Sequence, residues 1–193
     1  MPTEISGSTG VNKIQDNTIV NADINSSAAI AGSKLVMPTG SLLQVVQSVK
    51  TGYEAFSLSG AWSDVSNMSV AITPSSTSSK VLISFSIMAG GTGTNPYPKI
   101  KLLKNGSDLV VGDAVGSRIR MTSAWGQGVS TPSDVGVVSF EYLDSPSTIS
   151  EITYKLQVSG YSTRTFYINV TGGSDANNGM SCVSTITAKE IAG

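Results

Sequence analysis

The chain contains no histidine and a single cysteine in 193 residues. Without histidine there is no Ser-His or Cys-His nucleophile pair and no histidine metal site. One thiol cannot form an intrachain disulfide, so the fold does not rest on stapling. Cys182 lies inside MSCVSTI, which reads as a small buried thiol. Charge is also scarce: charged residues make up 13%, and 12 Lys+Arg against 13 Asp+Glu leave a net charge of −1. A nucleic-acid partner needs a basic face, which that balance does not supply. The one local excess, Lys99, Lys101, Lys104, Arg118 and Arg120, is interrupted by Asp108 and Asp113 and reads as a solvated strand face. No apolar run approaches the roughly 20 residues of a membrane-spanning helix, so no membrane insertion is expected. The start, MPTEISGSTG, has neither a basic stretch nor an apolar core, so it does not read as a signal peptide.

Against these shortages stand 34 Val plus Ile, only 10 Leu, and 50 Ser plus Thr. β-Branched residues suit strands, and hydroxyl side chains suit exposed strand faces and turns. The composition predicts an all-β protein.

The texture changes near residue 40. Residues 1–40 are rich in Asn, Ser, Ala and Gly, lack aromatics and end at Pro38-Thr39-Gly40. Residues 41–193 are apolar runs bounded by turn residues. In KVLISFSIMA, Val81, Ile83, Phe85 and Ile87 alternate with Leu82, Ser84 and Ser86, the pattern of a half-buried strand. IKLL and DLVVG flank Asn105-Gly106, a strong hairpin signal because both central residues must take positive φ. Further strands are expected in SLLQVVQSV, GYEAFSLS, WSDVSNMSVAITP, SRIRMTSAW, DVGVVSFEYL, EITYKLQVS, TFYINVT and MSCVSTITAKEI, with Trp62 packing at a sheet edge. Many short strands with Gly/Pro-rich turns predict an antiparallel β-sandwich head over 41–193, a jelly roll by preference, behind an extended segment 1–40.

In that first segment Ile14, Ile19, Ile24, Ile30 and Leu35 recur at steps of five, five, six and five. Five residues advance a helix by about 500° and scatter the side chains around it. On a strand an odd step sends successive residues to opposite faces. Burying one isoleucine contributes about 1.5–3 kcal/mol, whereas ordering each residue costs about 1–2 kcal/mol of backbone entropy. One apolar residue in five does not cover that cost in a lone chain. Several copies around one axis remove the difficulty, because each turn of chain inserts one isoleucine into a shared dry centre while Asn, Asp and Ser turn outside it. A three-fold axis suits so short a repeat. A short helix over SSAAIAGSKL, capped at Ser26 or Ser27, is compatible with this reading, and an unordered leader with evenly spaced isoleucines is the plain alternative.

The run from Ile14 to Leu35, with its Ile-x-x-x-Asp and AAIAGSKL phrasing, resembles linker repeats in tail-fibre and other virion structural proteins of tailed bacteriophages. YLDSPSTISEITYKLQVSG, FYINV and STITAKEIAG resemble the carboxy-terminal β-domains of such proteins in phages of marine and freshwater bacteria. The resemblance implies a homotrimer on the exterior of a phage particle, made in the host cytoplasm. Its amino-terminal segment would attach to other virion proteins of the tail or capsid, and a jelly-roll head of the tumour-necrosis-factor-like type would project outward. About 36 residues precede the head, a short leader for a long tail fibre, so a capsid decoration or head-fibre protein of the same build remains the alternative.

Little in the sequence points to catalysis, and no enzyme and no cofactor are expected. Glu141 with Asp144, or Asp134 with Glu141, are the carboxylate pairs that a carbohydrate-active enzyme would need. GGSDANNG offers a single carboxylate where a calcium loop wants several, and GSTG and GGTGTN precede no P-loop lysine and helix. Recognition is the better expectation for the loops of a rigid sandwich. Tyr97 in TNPYPK, Trp125 in SAWGQGVS and Tyr161 in SGYSTR place flat aromatics among hydroxyl and amide side chains, a setting that suits a host-surface glycan. Trp125 serves equally well as a cap on the core or as a contact between protomers.

Overall fold

The computed structural model describes residues 27, 35–57, 60–91, 98–125, 135–160, 165–171 and 179–193. The chain divides into two units, Met1–Met37 and Pro38–Gly193. Of the first, Ser27 lies in an exposed turn, and Leu35, Val36 and Met37 are exposed. Ile14, Ile19, Ile24 and Ile30 lie outside the described residues, as do residues 26 and 28–34 of the short helix considered over SSAAIAGSKL.

The second unit is built from antiparallel strands, with no helix among the described residues. In chain order these are β1 (Leu42–Lys50), β2 (Glu54–Ser57), β3 (Ser63–Ile72), β4 (Lys80–Gly91), β5 (Lys99–Lys104), β6 (Ser107–Val110), β7 (Ser123–Ala124), β8 (Val135–Asp144), β9 (Ile152–Ser159), β10 (Thr165–Ile168) and β11 (Ser184–Ile191). Alternation of side chains explains the long ones. Val81, Ile83, Phe85 and Ile87 of β4 are buried and Leu82, Ser84 and Ser86 half-buried; Ile152, Tyr154, Leu156 and Val158 of β9 repeat the pattern. Asn105 and Gly106 take φ of 49° and 84° between β5 and β6, the two left-handed residues that the hairpin requires.

Among the described residues, six strands form one sheet and five the other. β11 and β10 lie in line along one edge of β4, facing Lys80–Ser86 and Ala89–Gly91, and β8 occupies its other edge. β1 and β2 lie in line outside β11 and β10. In the second sheet β9 joins β3 to β5, whose far edge carries both β6 and β7. With in-line pieces counted as one strand, the sheets read first–eighth–third–sixth and second–seventh–fourth–fifth. That is the strand order of a jelly roll. Buried side chains of both sheets, among them Met68, Ile83, Leu102, Leu156, Phe166 and Ile186, fill the space between.

The in-line breaks share one residue. Asn169 has φ of 69°, donates from Nδ2 to Lys50 O (2.7 Å) and Gly52 O (3.2 Å), and accepts from Ser184 Oγ (2.5 Å). Its backbone N–H bonds Met88 O at 3.0 Å and its carbonyl accepts from Cys182 N at 2.7 Å. One buried amide thus fixes where β1 passes into β2 and β10 into β11.

Two strand expectations need correction. Of SRIRMTSAW only Ser123–Ala124 is strand; residues 111–122 form a loop with a turn at Gly116 (φ 56°), clamped by Gly112 N to Met121 O (3.1 Å) and Arg120 Nε to Gly112 O (2.7 Å). In MSCVSTITAKEI the strand begins only at Ser184, because Cys182 is held on Asn169, and the Cys182 thiol is half-buried rather than buried.

Candidate functional site

Register decides which loops share an end of the sandwich. Lys99 lies opposite both Ala124 and Ser159, Gly90 opposite Val135, and Phe166 opposite Gly91. The strand ends that border residues 92–97, 126–134 and 161–164 therefore lie at one end of the molecule. Tyr97 and Tyr161 themselves lie outside the described residues, but both belong to segments that leave from this end, beside Trp125. The opposite end is where the sandwich begins. Leu42 faces Ile191, which faces Lys80, and Gly40 N and Ser41 O bond the Ala192 carbonyl and amide at 2.7 and 2.8 Å. The 12 residues of β4 run the whole way between, about 37 Å at the usual rise.

Trp125 is half-buried and packs on the core. Its indole lies directly over Gly136 of β8, where a Cβ would stand 1.8 Å from Nε1, and its backbone N–H bonds Pro98 O at 3.0 Å. A large side chain is admitted there only because residue 136 has none. The cap on the core foreseen for Trp125 is thus occupied by its indole, leaving its half-exposed part at the loop end. Trp62 precedes edge strand β3, with Lys101 Nζ 4.7 Å from its ring centroid.

The basic residues do not make one face. Lys99 is buried and donates to Gly160 O at 2.7 Å, Lys101 pairs with Asp108 at 2.7 Å, and Lys104 turns inward to Asp144 at 2.7 Å. Lys101 and Lys104 are three residues apart on a strand, and an odd step reverses the face. The same rule separates the proposed catalytic pair on β8. Glu141 is exposed on the outer face, whereas Asp144 is buried on the inner one, accepting Tyr154 OH at 2.6 Å. Burial, and then the hydrogen bond to Asp144, push the Tyr154 phenol well above its ordinary range, so it stays protonated. These two carboxylates cannot converge on one sugar. Asp134 lies outside the described residues, and among the described residues no cluster of three or more His, Cys, Asp or Glu could hold a metal ion.

Two other carboxylates carry polar networks. Buried Glu190 accepts from Ser75 N and Oγ, both at 2.7 Å, and from Gln44 Nε2 at 2.5 Å. Glu54 accepts from Lys50 Nζ at 3.0 Å and from Ser66 N and Oγ at 3.0 and 2.8 Å. Burial alone would raise both carboxyls, but the donors outweigh it and hold each below the ordinary 4.5. The stability they contribute is complete above that value and is lost as pH falls through the depressed folded one. With no histidine, no side chain of ordinary pKa titrates between about pH 5 and 8. Thermal melts are expected to be level across that window and to fall below about pH 4.5. Glu190→Gln should lower the plateau and flatten the acid limb.

The Glu190 network is not legible in the sequence, because Gln44 and Ser75 lie 146 and 115 residues away, whereas Glu54 draws its donors from only four and twelve residues away. No family model matches the chain, and no curated protein does. Among solved structures the chain is similar to infectious bursal disease virus, Gx strain, at 13% identity and a TM-score of 0.42, over 77% of this chain and 37% of that one. It is likewise similar to the VP2 subviral particle of infectious bursal disease virus, at 13% identity and a TM-score of 0.40, over 86% and 42%. The chain spans about two fifths of the length of either protein.

Proposed function

We propose that the chain is a non-enzymatic fibre or spike protein of a bacteriophage particle. Three copies are locked together through Ile14, Ile19, Ile24, Ile30 and Leu35, the amino-terminal segment is attached to the particle, and the jelly-roll head is displayed for adhesion to a host-surface glycan. The observation that supports this most is the polarity of the sandwich. The chain enters it at Pro38–Leu42, and the segments carrying Tyr97 and Tyr161, with Trp125, leave from the other end of β4. Attachment and display are thereby separated by the length of the domain. Three weak contacts held on one axis bind far more tightly than one, so no single aromatic needs high affinity. The separation of Glu141 from Asp144 weighs against a carbohydrate-active enzyme.

Gold-labelled antibody against the head, applied to purified particles of the phage that encodes the chain, tests the reading. Label on tails supports a fibre or spike, label on the shell supports the capsid decoration or head-fibre alternative, and particles without label overturn both.

A further inference from the structure

The two outer faces of the sandwich differ in a way the core does not require. The face of the sheet containing β9 is covered by paired charge: Lys155 and Gln157 both reach Asp64 at 2.7 Å, Lys101 meets Asp108 at 2.7 Å, and Trp62 lies beside Lys101. Such a face is suited to water. Across the face of the β4 sheet, register places Val45, Lys189, Leu82 and Leu143 in one row, Gln47, Thr187, Ser84 and Glu141 in the next, and Val49, Thr185, Ser86 and Ser139 in a third. Val137 stands exposed beyond them beside Met88, and Val45, Val49 and Leu143 are exposed as well. Most side chains here are short, so the face is flat.

The edge of this sheet is equally bare. β8, VGVVSFEYLD, pairs with β4 over ten residues without a register shift and carries no Lys, Arg or Pro. No backbone partner lies on its other side among the described residues. Unprotected edges invite pairing, and proteins normally blunt them with charge, bulges or brevity. The remaining edges here follow that practice. β3 and β1 are bulged and joined by Ser48 Oγ to Asn67 O (2.8 Å) and Lys50 Nζ to Ser66 Oγ (2.8 Å), while β6 and β7 have four and two residues.

Charge identifies the occupant. The three central rows hold one cation, Lys189, and one anion, Glu141, on opposite sides of β4, and neither is in an ion pair among the described residues. Two strand spacings across and two residues along put their Cα atoms roughly 12 Å apart, too far to pair within one chain. A ring of copies satisfies both, the Glu141 side of each meeting the Lys189 side of the next. We infer that the outer face of β1, β11, β4 and β8 is covered by a second copy of this chain, head to tail around the axis, with Glu141 opposite the neighbour's Lys189. The copy number rests on the trimeric reading above; the surface does not.

Disulfide trapping in the full chain tests it, in a Cys182→Ser background carrying Glu141→Cys and Lys189→Cys. An intrachain bond is excluded by distance, since a disulfide needs Cα atoms within about 7 Å. The expected result after mild oxidation is a covalent ladder on a non-reducing gel that stops at three chains, with neither single-cysteine chain cross-linking and melts of all variants unchanged. If Glu141→Cys alone gives covalent dimers, the contact is two-fold and the ring is overturned. If the double variant stays monomeric on the gel while sedimentation reports three chains, this face is not the contact although the trimer stands. Monomer by both measures removes the trimer as well.

Discussion

Asp144→Ala is expected to destabilise the sandwich by about 1–3 kcal/mol, because it leaves the buried Tyr154 hydroxyl without its acceptor and removes the counter-charge of the part-buried Lys104. The carboxylate is buried between Tyr154 OH at 2.6 Å and Lys104 Nζ at 2.7 Å, at the end of the core where β5, β8 and β9 meet. Its removal strands a hydroxyl with no access to solvent and an ammonium drawn in from the edge. Asp144→Asn keeps an acceptor for the hydroxyl but loses the charge, and should cost about 1–2 kcal/mol. Glu141→Ala, on the exposed face of the same strand, should stay within about 0.5 kcal/mol as an isolated head. Urea unfolding of the three variants at one protein concentration measures this order. Equal effects at positions 141 and 144 would mean that the two carboxylates share a site, which the alternation of β8 forbids.

Ile14, Ile19 and Ile24 changed together to Ser are expected to turn trimers into monomers, or to weaken assembly strongly, in sedimentation. At about 1.5–3 kcal/mol for each buried isoleucine the loss is of order 13–27 kcal/mol per trimer, an upper estimate because an unfolded leader already hides part of its surface. The far-ultraviolet circular dichroism of the head should not change, since among the described residues every core side chain belongs to the second unit. A mass that stays threefold would mean that the isoleucines are not axial and that the heads alone hold the trimer, through the face around Ser84 and Thr187 or another.

What the sequence revealed of the head follows from the range of the forces involved. Period-two burial is a local property, so β4 and β9 were legible from their own residues, as was the Asn105-Gly106 hairpin, whose positive φ is a demand on two adjacent positions. Strand order was not legible, because β11 finds β4 across about 100 residues through matched faces rather than any local signal. The Asn169 joint was hidden for the same reason: an asparagine inside TFYINVT reads as a strand residue until Lys50, Gly52 and Ser184 are brought to it. Grouping lysines by proximity in the chain misplaces Lys104, whose odd spacing from Lys101 puts it on the opposite, inner face of the strand. The sequence leaves Trp125 open between a glycan contact, a cap on the core and a contact between protomers, and what decides its packing, the bare Cα of Gly136, belongs to another strand.

Electron cryomicroscopy of the intact particle tests the central claim most directly. The account predicts three sandwiches about one axis, the Pro38 end toward the particle and the Trp125 end pointing away. Solitary sandwiches, or heads docked by the Trp125 end, would contradict it.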